Sequence, residues 1–517
     1  MIFPVIFAAL YLSHFTLLTL PYYWDEAGYY IPAALDFFHS GSLIPLTTPT
    51  NAHPPLPSIY LALWWWASGF LPEVTREAVL IVAALGLTAV WRLAMRLTGV
   101  ATVAFWTVAL TAIYPIWFAQ SSLAHADIFA ASCVLWGLVY SLPARDRKPW
   151  AAAVWFSLAA LCKETAIVIP LTLAVISLIE SCRALGMARI RLWRLSAWLT
   201  SCTLPLAAWY AYHYFKKGFI FGNPEFLRYN AQANLSPLRF LAAFSHRILH
   251  LTAHMNLFVP VLMAVAALLL PPRADADEDG NQPRPAIAPA ELRRIFILLL
   301  VNALLFSVLG GALLTRYLLP MYPLVLLVAI TTLYRRVPYW HSLAALSAAA
   351  FILGLFINPP YGFAPEDNLA YARAIRFQQE GAHQLEMRYP GASVLSVWPL
   401  SDELKRPELG YVHKPFAVYL LDNFSAAQIA RAAEEPENYS AALVFSTKYD
   451  PHSFFSLGPM SRAMDERYFD LHEDMQPEAI ALALHGDLVW KQEDQGQWIA
   501  LIHFNRQYGV QLAQVWP

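Results

Sequence analysis

Tyr22 to Leu56 reads YYWDEAGYYIPAALDFFHSGSLIPLTTPTNAHPPL, and the fold turns on what that stretch is. It begins where the first apolar run, Met1 to Leu20, ends, so Asp25 and Glu26 fall at a membrane surface. Tyr22, Tyr23, Trp24, Tyr29 and Tyr30 surround the two carboxylates, as expected where headgroups and water meet. His53-Pro54-Pro55-Leu56 then opens a second apolar run. The plain reading makes Asp25 and Glu26 ordinary acids flanking the outer end of a transmembrane helix.

Beyond this stretch the chain is apolar for most of its 517 residues: 58% are hydrophobic and 14% charged. Runs near the roughly 20 residues needed to span a bilayer recur through the first 358 positions, which predicts a polytopic α-helical membrane protein. The net charge of −1 hides an asymmetry: residues 359–517 hold 21 acids and 12 bases, a balance of −9, against +8 on the part before. No run of either sign points to nucleic acid. Cys133, Cys162, Cys182 and Cys202 show no metal-ligand spacing. Residues 1–20 lack a charged leading region and a small-residue cleavage site, so they read as a retained first helix.

Basic residues set the expected topology. No Lys or Arg precedes Arg76, while Asp25, Glu26, Asp36 and Glu73 do, so a first outer loop is expected over 22–75, with Trp64-Trp65-Trp66 on an interfacial helix. Arg92 and Arg96, then Arg145, Arg147 and Lys148, then Arg183 to Arg194, then Arg335 and Arg336 follow alternate apolar runs. That alternation predicts about eleven spans within a 1–358 membrane domain and a Pro- and charge-rich inner loop without order at 271–294. With the N-terminus inside, residues 359–517 form an extracytoplasmic domain. There, a helix at 366–388, strands at 393–398, 416–421 and 441–446, a helix at 425–434 and closing strands at 488–491 and 498–504 predict a small α/β fold.

Polar groups within apolar runs carry the chemical information, because a charge at bilayer depth costs on the order of 3 kcal/mol and usually lines a cavity. Asp127 (in SSLAHAD), the Lys163-Glu164 pair and Arg316-Tyr317 (in GGALLTRYLLPMYP) all fall at outer ends of predicted spans. Each has an ordinary explanation, a local ion pair for Lys163-Glu164 and a snorkelling arginine for Arg316. Their convergence on one face is harder to explain away. His246, Arg247, His250 and His254 share helical spacing that suits a lipid phosphate, although interfacial histidines are usually just solvated.

The order of apolar anchor, Asp25-Glu26, short helix and His53-Pro-Pro-Leu resembles the first outer loop of the GT-C glycosyltransferases, polytopic enzymes that use polyprenyl-phosphate sugars. These include the protein O-mannosyltransferases and the lipid A aminoarabinose transferases. The resemblance covers about residues 1–335: Asp127 stands in the place of the family's second acid, Lys163 of a lysine between later spans, and Arg316 of an arginine before Tyr-Leu-Leu-Pro. His53 departs from the lysine of the lipid A enzymes. The resemblance implies an inverting transferase of the plasma (inner) membrane, with a polyprenyl-phosphate sugar as donor and a protein, lipid or glycan as extracytoplasmic acceptor. Asp25 would be the general base, with Glu26 and Asp127 orienting the reacting groups. His53, Lys163, Glu164, Arg316, Tyr317 and Arg247 would bind substrate. A divalent cation is a possible cofactor, with Glu26, Asp127 and His246 as candidate ligands. A transporter or flippase of a lipid-linked substrate is the competing class, but the inverted repeats and mid-membrane helix breaks common there are not evident.

Overall fold

A computed structural model of the chain describes residues 2–142, 147–222, 236–277, 280–309, 313–449, 466–467, 469 and 473–505. It divides into two compact units: Met1–Leu18 with Ala33–Ile357 and Glu366–Asn368, and Thr19–Pro32 with Asn358–Pro365 and Leu369–Pro517.

The first unit is built of helices. Three described helical stretches are long and apolar enough to cross a membrane: Pro72–Thr98, Glu164–Arg183 and Thr315–Arg336. Shorter apolar helices occupy Ile2–Leu17, Ala101–Ile113, Ala126–Ser141, Pro149–Cys162 and Trp340–Phe356. Pro237–Asn256 and Phe258–Ala267 form a pair bent by 100°. The bend sits at Met255 and Asn256, whose left-handed backbone (φ 47° and 66°) cannot continue a right-handed helix. The tryptophan-rich segment is a helix, Leu56–Ser68; Trp65 is buried and donates to Thr75 Oγ1 at 2.9 Å, while Trp66 is exposed.

The Ala126–Ser141 helix lies at the centre of this unit, buried on nearly every side. It packs against Pro72–Thr98 and Pro149–Cys162, and small residues allow the approach. A Cβ on Gly137 would stand 2.6 Å from the Phe156 ring, and one on Gly86 2.6 Å from Ser132 Oγ. Ser132 donates to the Val82 carbonyl at 2.8 Å and Trp136 to the Leu85 carbonyl at 3.1 Å, so the central crossing is tied as well as packed. This fixes the height of Asp127 in the helix's first turn.

The charge-rich loop expected to lack order carries an antiparallel hairpin, β1 (Ala274–Asp277) and β2 (Gly280–Pro283). Backbone bonds from Arg273 N to Arg335 O and from Arg284 N to Arg273 O, both 2.9 Å, close its base, a partner that composition alone does not reveal.

The second unit holds a five-stranded mixed sheet. Its strands are β3 (Ser393–Val397), β4 (Ala417–Leu421), β5 (Ala441–Phe445), β6 (Asp487–Asp494) and β7 (Gln497–His503), in the order β4-β3-β5-β7-β6. β3 pairs parallel with β4 and β5, and β7 antiparallel with β5 and β6. β5 is buried along its whole length, as its central place demands. The Ala370–Arg388 helix covers the sheet, and Gly381 is required there because a Cβ would meet Ile499 at 2.5 Å. Two helices are additional to the expected elements, Leu400–Lys405 and Pro477–Ala483.

Glu403, in the first of these, is fully buried, and neither carboxylate oxygen has a hydrogen-bond partner among the described residues. Burial, aided by the charge of Asp402, holds its carboxyl well above the usual value of 4.5. A raised folded-state value means that the folded chain keeps a proton the unfolded chain releases, so stability falls as pH rises above about 4.5 through that window. Glu403→Gln should remove this slope. By circular dichroism melting, the variant is expected to match wild type near pH 4.5 and to melt roughly 2–4 °C higher at pH 8. Parallel pH profiles would show that Glu403 is ionised in the folded unit.

Candidate functional site

In the first unit the polar residues read from separate stretches of sequence come together around Asp127. This residue is 4% exposed, and His125, extended at the helix start, leads the chain into it. Lys163 ends the Pro149–Cys162 helix in an extended conformation, which directs its ammonium to Asp127 Oδ1 at 2.6 Å. Arg316 lies in the 3₁₀ segment Thr315–Met321, where Pro320 supplies no amide hydrogen for α-helical bonding. Its Nε stands 3.3 Å from Asp127 Oδ2, and its Nη1 is 2.5 Å from Glu366 Oε2. Arg316 is 2% exposed, and two carboxylates flank its one charge.

A second layer fixes these groups. His125 Nδ1 is 2.9 Å from Gln120 Oε1 and 3.2 Å from Arg316 Nη1. Asp367 accepts from the Thr315 hydroxyl and lies 2.9 Å from His254 Nε2, and Tyr322 donates to the Thr315 carbonyl at 3.0 Å. Arg76, also buried, donates to the Ser122 carbonyl at 2.5 Å.

The Tyr317 ring is shared by three cations, of which Arg316 lies 6.0 Å from its centroid. Lys163 Nζ is 4.1 Å from its centroid and the Arg247 guanidinium carbon 5.8 Å. Arg247 is fully buried in the Pro237–Thr252 helix and donates to the Phe306 and Leu314 carbonyls at 3.1 and 2.8 Å. Its Nη2 has no hydrogen-bond partner among the described residues, and no carboxylate pairs with it there. A buried guanidinium offset only by carbonyls and a ring is suited to an anion.

His53 and Glu164 form a separate, half-buried pair at 3.0 Å. The loop before His53 is held by Trp209 Nε1 bonding the Ala52 carbonyl at 2.9 Å and by Asp36, whose carboxylate accepts from the Leu46 and Thr47 amides at 2.7 and 2.9 Å. His246 is exposed, and its ring meets that of His250 at 6.3 Å.

Asp25 and Glu26 belong to the second unit. Glu26 opens a π-helical turn, Glu26–Tyr30; its buried carboxylate accepts the Tyr23 amide at 2.9 Å. Trp24 before it is in the left-handed region (φ 50°), a strained place for a bulky residue. Within the same unit the Trp24 ring meets Trp398 edge-on at 5.5 Å, and Tyr411 donates to the Tyr22 carbonyl at 2.7 Å. Gly28 leaves room for Trp398: a Cβ there would stand 2.3 Å from the indole nitrogen. Asp25 is partly exposed.

No group of three or more His, Cys, Asp or Glu among the described residues could hold a metal. Asp127 in particular already faces two cations, so a divalent ion beside it would meet Lys163 and Arg316 at close range.

No family model and no curated protein matches the sequence. Among solved structures, the crystal structure of ArnT from Cupriavidus metallidurans in the apo state superposes with a TM-score of 0.52, at 15% identity, over 96% of this chain and 97% of that one. The crystal structure of the same protein bound to undecaprenyl phosphate gives 0.54, at 14% identity, over the same shares. This chain has the fold of ArnT. The likeness of fold thus reaches beyond residues 1–335.

Breaking a buried ion pair leaves an uncompensated charge and costs about 3–5 kcal/mol, whereas an exposed pair is worth about 1 kcal/mol or less. Glu366→Ala should therefore lower stability in detergent by about 3 kcal/mol, as breaking a buried pair does. Glu164→Ala, whose pair with His53 is less deeply buried, at 15% and 22% side-chain exposure, should cost less than that. Denaturant titration of both variants checks this; equal losses would mean that Arg316 does not depend on Glu366.

Proposed function

We propose that the chain is an integral-membrane inverting glycosyltransferase that takes its sugar from a polyprenyl-phosphate donor. The observation that carries the reading is Arg247, a buried cation with no carboxylate partner among the described residues, sharing the Tyr317 ring with Lys163. The fold supports it, since ArnT of the same fold binds undecaprenyl phosphate.

In this reading the donor phosphate lies against Arg247 and Lys163, with Tyr317 between them. The acceptor oxygen attacks the anomeric carbon, the bond from that carbon to the phosphate oxygen breaks, and the electron pair leaves with the phosphate. Fixed cations stabilise the charge that grows there, without reorganising during the reaction. The acceptor's proton passes to Asp25, the assigned general base, a partly exposed carboxylate on the motif that carries the family resemblance. Glu26 holds the turn that presents Asp25. Arg316, already flanked by two carboxylates, is assigned to hold Asp127 and Glu366, and Asp127 in turn to orient Lys163. Glu164 and His53 steady the loop at the edge of the donor site. The acceptor is a hydroxyl-bearing protein, lipid or glycan.

We propose also that the shorter apolar helices join the three long ones to make the eleven spans, with the C-terminal unit on the extracytoplasmic face. A reporter fused after Pro517 should then be external and one inserted at Gly280 internal; opposite labelling at either place would invert the topology.

The transferase reading is tested on purified protein with undecaprenyl phosphate binding and single-turnover transfer measured separately. Asp25→Asn should bind normally and lose about 10²–10⁴-fold in transfer, the usual contribution of a general base. Arg247→Gln should lose binding, and Arg247→Lys, lacking the planar fork, should restore it only in part. Near-normal transfer by Asp25→Asn, or undiminished binding by Arg247→Gln, would sink the corresponding assignment.

A further inference from the structure

Ala52, directly before His53, is buried and has a left-handed backbone (φ 61°). A residue with a Cβ rarely adopts that conformation, and it persists only where its surroundings over-determine it, most often at functional sites. Here the helix Thr203–Lys217 holds Ala52 from both sides. The Ala52 carbonyl accepts the Trp209 indole N–H at 2.9 Å. The Ala52 amide donates to Thr50 Oγ1 at 3.2 Å, and that hydroxyl lies 3.1 Å from His213 Nε2. His213 Nδ1 is 3.0 Å from the Phe219 carbonyl, which can only accept. In the neutral ring the proton is therefore on Nδ1, and Nε2 accepts the Thr50 hydroxyl. Trp209 and His213 stand one turn apart on one face of the helix, both buried, with ring centroids 5.8 Å apart.

That helix in turn rests on the one that leads to the buried cluster. Leu206 and Trp209 share a buried core with Ile44 and with Ala160, which lies near the end of Pro149–Cys162. His53 meets Glu164, the residue after Lys163, at 3.0 Å. The loop is thus located twice against one element: Ala52 through Thr203–Lys217, and His53 through Glu164, just beyond Cys162. Pro54 and Pro55 follow, and their fixed φ leaves the segment little freedom to compensate, so a change at residue 52 must be taken up by His53.

We propose that Thr50, Trp209 and His213 are positioning residues of the donor site: by holding Ala52 left-handed they turn His53 onto Glu164, next to Lys163. The strain at Ala52 is then the means by which a helix without a role in the chemistry sets one edge of the site. The inference rests on the transferase reading, which puts His53 and Glu164 at that edge and gives Thr50, Trp209 and His213 no part.

The test uses the full-length protein in detergent with two readouts, undecaprenyl phosphate binding and hydrogen–deuterium exchange of residues 50–53 without ligand. Thr50→Val keeps the shape and removes the hydroxyl; Trp209→Phe keeps an aromatic ring and removes the N–H. Each should speed exchange and weaken binding about fivefold, the effect of one hydrogen bond. Thr50→Ser, which returns the hydroxyl, should recover most of both. His53→Ala should weaken binding at least as much as Thr50→Val. Thr50→Val/His53→Ala should then bind no more weakly than His53→Ala alone, because a residue acting through His53 has nothing left to act on. A merely structural role would multiply the two losses. That result, or wild-type binding or unchanged exchange in both Thr50→Val and Trp209→Phe, would overturn the proposal. Failure of wild type to bind undecaprenyl phosphate would instead overturn the transferase reading and the donor-site role with it, while faster exchange in both variants would still establish that these residues hold the loop.

Discussion

The first unit depends on how one buried carboxylate is neutralised. Asp127 stands in the first turn of its most deeply packed helix, with Lys163 on one oxygen and Arg316 near the other. Three distant segments must therefore meet at one height for any of these charges to be tolerated. Removing one partner would leave a charge in an apolar interior at a cost of several kcal/mol, so the network specifies register even where it adds little net stability. Glu366 completes it, and Asp367 ties the segment before Arg316 to His254.

That balance separates two kinds of cation. Arg316 reads from sequence as a substrate arginine, yet it lies between two carboxylates and its charge is spent within the protein. Arg247 reads as one of several interfacial basic residues, yet it is fully buried, and among the described residues it bonds two carbonyls and lies against two aromatic rings. A phosphate approaching Tyr317 gains more from the second than from the first. This difference follows from counting charges in place, and no spacing rule would have found it.

Much of the architecture was legible in advance because periodicity and apolar length report it directly. The strands at 393–397, 417–421 and 441–445 and the helix ending at Arg388 fall within a residue or so of where alternation and amphipathicity put them. Asp127, Lys163 and Arg316 stood out because charges are rare in apolar runs, and the structure brings those three together. Glu366 and Asp367 were hidden because they open an acidic, soluble-looking tail; a buried arginine short of acids was the one available signal. The hairpin in the charge-rich loop was hidden too, since the bond at its base is to Arg335, more than fifty residues away.

The central claim is that Arg247, Lys163 and Tyr317 form the seat of a lipid-linked phosphate. The most direct measurement is a structure of the protein with undecaprenyl phosphate bound. The account predicts the phosphate within hydrogen-bond reach of Arg247 Nη2 and Lys163 Nζ, with the Arg316–Glu366 pair intact. A phosphate seated elsewhere, or one that draws Arg316 away from Glu366 while Arg247 stays on its carbonyls, would contradict it.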